Sequence, residues 1–369
     1  MGLNSFQTSG SSPTLHSAHG PHVCHVGLLG FGLAGSAIAR RLTGPDSPRA
    51  LQLTHIFDRR AREKRARQAD ALSALCWTDR FDDLLASDAD IIIDAVTGAE
   101  PASDYVRAAL LAGKSVVTVN KHVIAHHGPA LLTLAERQGR QLRYEAAVGG
   151  AMPIVRVLAD AMAGDRLMRI EAVLNGTSNA VLSRMEATGC TLDDAIAEAC
   201  AAGYADVDPS ADLDGGDAAA KLAILCALGF GLRVLPAQVE TKTTAHVTPE
   251  DFLDATARGG TIRQLAHAAY DADRSALTVW VAPRFVPKSS LFARLTGPEN
   301  GAVLTGRYAG DVSVIGTGAG GDALAVAALS DLVAIARDRA AIVPAPVLTD
   351  PKAIAGLTEQ KIASMREAV

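Results

Sequence analysis

The sequence predicts an α/β protein, a doubly wound parallel sheet joined to a second domain of mixed α and β structure. Three observations carry this. The glycine-rich turn Gly30-Phe31-Gly32-Leu33-Ala34-Gly35 follows an apolar strand pattern and opens a helical one. Apolar strand-length runs then alternate with helix-length segments as far as residue 124, the pattern of a sheet with helices on both faces. From Tyr144 onward that alternation gives way to a different text, in 369 residues that are 49% hydrophobic, enough for two or three domains.

In chain order, residues 1–22 are rich in Ser, Gly and His and lack both an apolar core and a charged start, so they are expected to be a disordered tail rather than a signal peptide. Val23–Leu42 reads as strand, turn and helix. Gly30 permits the tight turn, Gly32 lets backbone approach a pyrophosphate, and Gly35 lets helix and strand pack closely; the helix start offers free N–H groups to phosphates. The strand pattern Leu51–Phe57 ends at Asp58, placed to accept the ribose hydroxyls of NAD, whereas Arg59, Arg60 and Arg62 suit the 2′-phosphate of NADP. A nicotinamide dinucleotide is expected, with both forms left open. The near-continuous apolar run Ala89–Thr97 is a doubly covered strand, Ala102–Ala112 a helix, and the stretch Ser115–Ile124 follows, with Asn120-Lys121 at the carboxyl end of its strand. Thr97 and Lys121 thus fall at carboxyl ends of strands, where such sheets bind ligands, although a strand-end lysine is as readily a surface residue.

Past Tyr144, Ile170–Leu182 reads as a strand and Thr191–Ala202 as a helix, with Thr191 and Asp194 as a capping box and Gly203 as the stop. Gly203–Leu225 then carries five aspartates (206, 208, 212, 214 and 217) before the composition turns to Ala, Leu and Ile around a single Lys221. This predicts an acidic loop feeding a buried helix, with Asp214 as N-cap and Asp217 and Lys221 on one face at i and i+4. A lysine on an apolar helix is uncommon unless paired or at work. Net charge is −5 with no basic block, which argues against nucleic acid or an anionic membrane as partner. Five scattered cysteines without a CxxC pair fit reduced thiols, no apolar run approaches a membrane span, and a cytoplasmic protein is expected. The histidines 122, 126, 127, 246 and 267 show no metal spacing, Cys226 reads as packing, and Trp280 as a strand residue at an interface.

Several blocks together resemble the homoserine dehydrogenase family: Gly30–Gly35, Val119-Asn120-Lys121, Tyr144–Gly150, Asn175–Asn179, Gly203–Leu222, Gly316–Gly321 and Ser330-Asp331, collinear over about residues 23–340. The resemblance implies a Rossmann-type sheet and a reversible, NAD- or NADP-dependent reduction of aspartate semialdehyde to homoserine. It implies a homodimer acting on a small molecule. Lys221 then matches the proton donor, Lys121 the second active-site lysine, and Asp217 the residue fixing the substrate hydroxyl side. Asp206 and Asp212 match contacts to the substrate ammonium, with Gly176 and Thr177 beside them; Thr97 and Gly320 match cofactor contacts. Glu145, with the carbonyls of Val148, Gly150 and Met152, matches a structural sodium site. The implied division is a dinucleotide-binding domain over 23–150, completed by about 318–340, and a substrate-binding, catalytic and dimerisation domain over 151–317; 341–369 form a tail.

That chemistry is intelligible from the residues. Hydride arriving at an aldehyde carbon leaves negative charge on its oxygen, so a positioned cation able to give a proton is needed. Carboxylates suit the substrate ammonium; backbone N–H groups of Gly149-Gly150 or Asn175–Thr177 suit its carboxylate. One carboxylate with carbonyl oxygens suits an alkali ion. Two features depart from the family. Asp206 stands where glutamate is usual, a carboxylate drawn back by about 1.5 Å, one C–C bond. The residues after Arg339 are also too few for the regulatory domain of many members, so no built-in feedback is expected. Three rivals remain: a same-fold reductase of another amino-acid semialdehyde, a non-catalytic dinucleotide sensor, and a calcium-binding module. The last takes Asp206 as the first ligand of an EF-hand-like loop, in which Ala211 replaces the required glycine.

Overall fold

The computed structural model describes residues 23–68, 70–204 and 209–357. The expected tail over 1–22 and the Asp206 position lie outside the described residues. The first layer is a six-stranded parallel sheet of β1 (Cys24–Leu29), β2 (Leu51–Phe57), β3 (Cys76–Thr78), β4 (Ile91–Asp94), β5 (Ser115–Thr118) and β6 (Leu142–Arg143). Its order, β3-β2-β1-β4-β5-β6, is doubly wound and reverses direction between β1 and β4. The crossovers carry α1 (Leu33–Thr43), α2 (Ala61–Ala66), α3 (Asp70–Ser73), α4 (Phe81–Leu85), α5 (Ala102–Leu111) and α6 (Lys121–Arg137). β4 shows why the apolar runs are continuous. Ile92 points into a core with Val106 of α5 and Leu131 of α6, whereas Ile91 and Ile93 point into another with Ile38 of α1.

The chain then leaves through α7 (Ile154–Arg156) and a single π-turn into β7 (Leu167–Val173), α8 (Gly176–Thr188), α9 (Leu192–Ala201), α10 (Ser210–Leu213) and α11 (Gly216–Phe230). After them come β8 (Glu240–Thr241), α12 (Pro249–Ala257), β9 (Gly260–Asp271), β10 (Ala276–Pro287), β11 (Glu299–Gly306), β12 (Gly310–Thr317), α13 (Gly321–Arg337) and β13 (Ala353–Ala355). The second sheet runs β12-β11-β7-β9-β10-β13, with β8 also on β10. Ala266, Ala268, Val279 and Val281 turn one of its faces toward α11; Leu265, His267 and Trp280 stand on the other, with the His267 ring stacked on Trp280 at 4.8 Å. A single apolar core continues from Leu29 through Leu131 of α6 and Leu222 and Leu225 of α11 to this sheet. α11 is apolar on most of its surface, as a helix buried between two layers must be.

Two readings of the sequence give way here. The strand expected over Ile170–Leu182 stops at Val173; the Asn175 side chain accepts the Ser178 N–H (2.7 Å) and so caps α8, which begins at Gly176. Asp214 does not cap α11. It closes the short α10, and Gly215, with φ +83°, is the residue before α11. The helical turn Ser210–Leu213 also fills the middle of the twelve-residue register that a calcium loop would need. By contrast, Thr191 caps α9, its hydroxyl donating to Asp194 at 2.7 Å, and Gly203 follows that helix with φ +75°.

Among the described residues the chain passes between the layers three times. The first passage follows β6, the second joins β12 to α13, and the third runs from α13 to β13. The first two lie side by side, where the Ala151 N–H donates to the Thr317 carbonyl at 2.9 Å. α13 returns to the first layer, placing Ala325, Ala328 and Leu332 in the core of Ile38 and Val26. The third passage is held by Thr349, which exchanges backbone hydrogen bonds with Gly231 and Arg233 (2.9 Å each). No helix among the described residues is long and apolar enough to cross a membrane.

Candidate functional site

The first half of the site forms where β1 and β4 diverge. Gly30 leaves β1 with φ +96°, and a Cβ there would meet the Ala95 carbonyl oxygen at 2.8 Å. Gly35 is tighter still, since its Cβ would lie 2.0 Å from the Gly30 carbonyl oxygen. Gly32, before α1, has open space where a side chain would be, and no side chain caps the helix. Its first N–H groups are therefore available to a phosphate, with Leu33 exposed and Ala34 half-buried at the opening. Phe31 is buried edge-on against Trp77 at 4.8 Å. A cleft of about 270 Å³ runs from here past Asp58, Arg59 and Lys64 to Thr97 and Tyr105.

Asp58 accepts the N–H groups of Phe31 and Arg60 (2.9 Å each) and the Lys64 ammonium (2.6 Å). Burial pushes its carboxyl up, but those three donors outweigh it and hold Asp58 below its ordinary value, as an anion. Lys64 also donates to the Phe31 carbonyl (2.8 Å), so it ties Asp58 to the glycine turn at this end of the cleft.

Beneath the cleft, Asp94 ends β4 fully buried, accepting from the Thr118 hydroxyl (2.7 Å) and the Val96 N–H (3.1 Å). Burial pushes its carboxyl up to about 7. The fold then retains a proton that the unfolded chain releases near pH 4, so stability falls as pH rises from about 4 to about 7. Asp94→Asn is expected to raise the melting temperature at pH 8 by a few degrees relative to wild type, and by much less at pH 5. Paired thermal melts check this; equal shifts at both pH values would contradict it.

Asn120 connects this region to the second half. Its Oδ1 accepts the N–H groups of His122 (3.0 Å) and Val123 (3.3 Å), capping α6, while Nδ2 donates to the carbonyls of Val96 (2.9 Å) and Gly98 (2.5 Å). Lys121, first residue of α6, is thereby fixed beside the Thr97 loop. Across from it, α11 presents Asp217 and Lys221 one turn apart. Asp217 is buried and touches both lysines: Oδ1 to Lys121 Nζ at 2.5 Å, Oδ2 to Lys221 Nζ at 2.8 Å. Lys221 also donates to the Leu174 carbonyl at the end of β7 (2.9 Å). Burial pushes the Asp217 carboxyl up, and the two ammoniums overcome it, holding Asp217 well below the usual carboxylate range.

Asp212, on α10, stands beside Asp217. Its carboxyl is raised by burial and then by the Asp217 charge. Gly176 opens α8 with its Cα against Ala319 and the Pro298 carbonyl, which brings the loop of Gly320 to the same place. Thr177 is buried, its hydroxyl donating to the Tyr204 carbonyl (2.7 Å), so what it offers a ligand is its N–H in the helix's first turn. The structure thus gathers Lys121, Lys221, Asp217, Asp212, Gly176 and Thr177 in one site, with Thr97 on the adjoining cleft.

Glu145 lies at the junction of the layers, nearly fully buried, accepting the N–H groups of Val155 (2.9 Å) and Arg156 (3.0 Å). Its own N–H donates to Asp331 (2.9 Å), which also accepts from Arg156 (2.7 Å). Arg156 thus bridges the two carboxylates, with the Arg143 charge also acting on Asp331, and burial pushes the Glu145 carboxyl up to about 7. Val148 and Met152 are buried in the following turns, and Gly150, with φ +60°, sits against the Thr317 carbonyl. Among the described residues no three His, Cys, Asp or Glu side chains are gathered to hold a metal.

Sequence reasoning missed Lys64, Asn120 as a link, Asn175 and Gln264. Asn120 and Asn175 each left the local signal of an asparagine before a helix start; the carboxylate partners of Asn175, the Val96 and Gly98 partners of Asn120, and the partners of Lys64 and Gln264 are set by tertiary packing.

Comparison with known proteins agrees with this geometry. The family model "Homoserine dehydrogenase, NAD binding domain" matches residues 30–145, and the model "Homoserine dehydrogenase" matches residues 153–333. The chain is 38% identical over 324 residues to a homoserine dehydrogenase of Mycobacterium leprae, covering 85% of this chain and 72% of the relative. It is 37% identical over 316 residues to that of Synechocystis, covering 84% of this chain and 72% of the relative. Among solved structures, a homoserine dehydrogenase from Thiobacillus denitrificans superposes with a TM-score of 0.81 at 30% identity, covering 90% of this chain and 79% of the other. A hyperthermophilic archaeal homoserine dehydrogenase in complex with NADPH gives 0.70 at 26% identity, covering 88% of this chain and 99% of the other.

Proposed function

The chain belongs to the homoserine dehydrogenase family, NAD(P)-dependent oxidoreductases acting on a CH–OH group, and from that premise we propose how its own residues carry out the interconversion of L-aspartate 4-semialdehyde and L-homoserine. The observation that carries the reading is the buried Asp217 holding Lys121 and Lys221 together, with Lys121 next to the Asn120 that is bonded to the Val96–Gly98 edge of the cleft. When bound, the nicotinamide supplies or accepts the hydride. Lys221 gives the proton that the forming alkoxide needs, and takes it back in the reverse direction. Lys121 holds the same oxygen from the cofactor side, and Asp217 keeps both ammoniums aimed. Asp212, with Asp206, holds the substrate ammonium; the N–H groups of Gly176 and Thr177 take its carboxylate.

The dinucleotide would be held along Gly30–Gly35 with its ribose at Asp58, the cleft's open helix N-terminus offering N–H groups to its pyrophosphate. Arg59 lines the cleft as a cation for a 2′-phosphate, beside the Lys64 ammonium that Asp58 already holds, and Gly320 would face the nicotinamide end. Removing the Asp58 charge takes one repulsion away from that phosphate. Asp58→Asn is expected to raise kcat/KM for the phosphorylated cofactor relative to NAD(H) by about ten-fold, one pKa unit's worth of charge interaction; an unchanged ratio between the two cofactors contradicts the assignment.

A structural sodium ion at Glu145 and the carbonyls of Val148, Gly150 and Met152 fits a buried carboxylate pushed up by burial and by the neighbouring Asp331, with carbonyl oxygens close by. The expected result is a higher melting temperature in sodium chloride than in choline chloride of equal ionic strength, with the difference lost in Glu145→Gln. We further propose a dinucleotide-binding domain over 23–150 completed by 318–340, and a catalytic and dimerisation domain over 151–317. A homodimer through the outer face of the second sheet, a cytoplasmic location and a place in threonine and methionine biosynthesis complete the reading. The deciding experiment follows absorbance at 340 nm with homoserine and each cofactor, against a panel of other hydroxy amino acids. Turnover of another member of the panel with none of homoserine would overturn the substrate assignment.

A further inference from the structure

We propose that Asn175 is a positioning residue whose carboxamide allows two neighbouring carboxylates, Asp212 and Asp217, to stand together as anions under the substrate. The proposal rests on the reaction assigned above and extends it to a residue that touches neither substrate nor cofactor in that scheme. Asn175 is buried at the end of β7, one residue after the carbonyl that receives the Lys221 ammonium. Its Oδ1 accepts the Ser178 N–H at 2.7 Å, which fixes the orientation of the amide, because an NH₂ group in that place would face another donor. Nδ2 therefore turns the other way and spends both hydrogens on carboxylates: Asp212 Oδ1 at 2.6 Å and Asp217 Oδ2 at 2.9 Å.

The two acids are not equally provided for. Asp217 has two ammoniums; among the described residues Asp212 has no salt bridge, and Asn175 is its side-chain donor. Two carboxylates sharing a buried site ordinarily resolve their repulsion by taking up a proton on one of them, here Asp212, which the two lysines reach only at a distance. A protonated Asp212 cannot attract the substrate ammonium. The amide between them offers each acid a hydrogen bond that only the anion fully uses. The site is also braced from behind, since Gln264 of β9 donates to the Asp212 carbonyl (3.0 Å) and accepts from the Ser178 hydroxyl (3.1 Å). The other charged or titratable groups facing the pair are Lys221 from α11 and Lys121 and His122 from α6. Asp206 belongs to the same stretch and lies outside the described residues.

The two duties of Asn175 can be separated by one substitution. Asn175→Asp keeps an oxygen for the Ser178 N–H, and aspartate is as good an N-cap as asparagine, but it replaces the shared donor by a third carboxylate. The expected result, in the full-length enzyme assayed with homoserine and NAD(P), is a KM for homoserine raised about ten-fold or more at pH 7. The acid limb of kcat/KM for homoserine moves up by about one pH unit or more, and the KM for the cofactor stays within about three-fold. The melting temperature at pH 5 stays close to wild type and falls more steeply toward pH 8. Asn175→Ser, which removes the donor without adding charge, gives a shift of the same sign and smaller size, and serves alone if the aspartate variant does not fold.

Wild-type pH profiles, homoserine KM and pH dependence of melting in both variants overturn the proposal, as does a loss of melting temperature that is the same at every pH with kinetics unmoved. A wild-type enzyme inert toward homoserine overturns the substrate reading instead. In that event the steeper pH dependence of melting in Asn175→Asp still decides whether the amide holds the two carboxylates apart.

Discussion

Replacing Lys221 by alanine lowers kcat by about a thousand-fold or more and leaves the KM for NAD(P) within about three-fold of wild type. The magnitude is that of a positioned proton donor combined with a cation at a developing alkoxide. The lysine, on α11, meets both needs from one place: its Nζ lies between the Asp217 carboxylate and the Leu174 carbonyl, whereas the glycine turn proposed for the pyrophosphate opens α1 in the other layer. Cofactor affinity is therefore insulated from the change. Arginine restores the charge and not the activity, because a guanidinium does not release its proton at working pH. A kcat within a few-fold of wild type in the alanine variant, by absorbance at 340 nm, removes Lys221 from the mechanism.

The second large effect falls on Asp217, and it appears in stability as well as rate. Asp217→Ala leaves two buried or half-buried ammoniums facing each other without their shared carboxylate, at a cost of about 3 kcal/mol, the range for breaking a buried ion pair by deleting one partner. kcat/KM falls by about a hundred-fold or more, since neither lysine is then aimed. The sign of the pH dependence is fixed by the depressed carboxyl. Its stabilisation is fully present above the ordinary aspartate value near pH 4 and is lost as pH falls further and Asp217 protonates in the fold. Urea unfolding at pH 8 therefore separates the variant from wild type by the full amount, and the gap narrows in acid. A gap that is constant down to pH 3 would show that lost packing, not charge, is responsible.

The first layer was legible because its signals are local. The glycine turn after β1, the doubly covered run within Ala89–Thr97, whose strand ends at Asp94, and the Asn120-Lys121 pair after β5 each announce themselves within a few residues. The pairing of Asp217 with Lys221 was legible for the same reason, one helical turn apart. α8 was not, because Gly176, Thr177, Ser178, Asn179, Val181 and Leu182 are all buried. A helix buried on most sides loses the 3.6-residue alternation and, with its β-branched residues, imitates a strand. Asn175 was beyond reach for another reason: its carboxylate partners lie 37 and 42 residues ahead. The same holds for Lys64, a surface-looking cation in a basic run until the fold turns it onto Asp58.

The three passages of the chain between its layers have a mechanical meaning. A single connection between two bodies is a swivel, and two side by side are an axle. The third, pinned at Gly231 and Thr349, joins bodies that already share one apolar core. Such an assembly is closer to a weld, and a wide swing of one layer against the other would tear that core open. A ligand held between the two layers is therefore expected to meet a frame that is already set, and not one that closes by swinging.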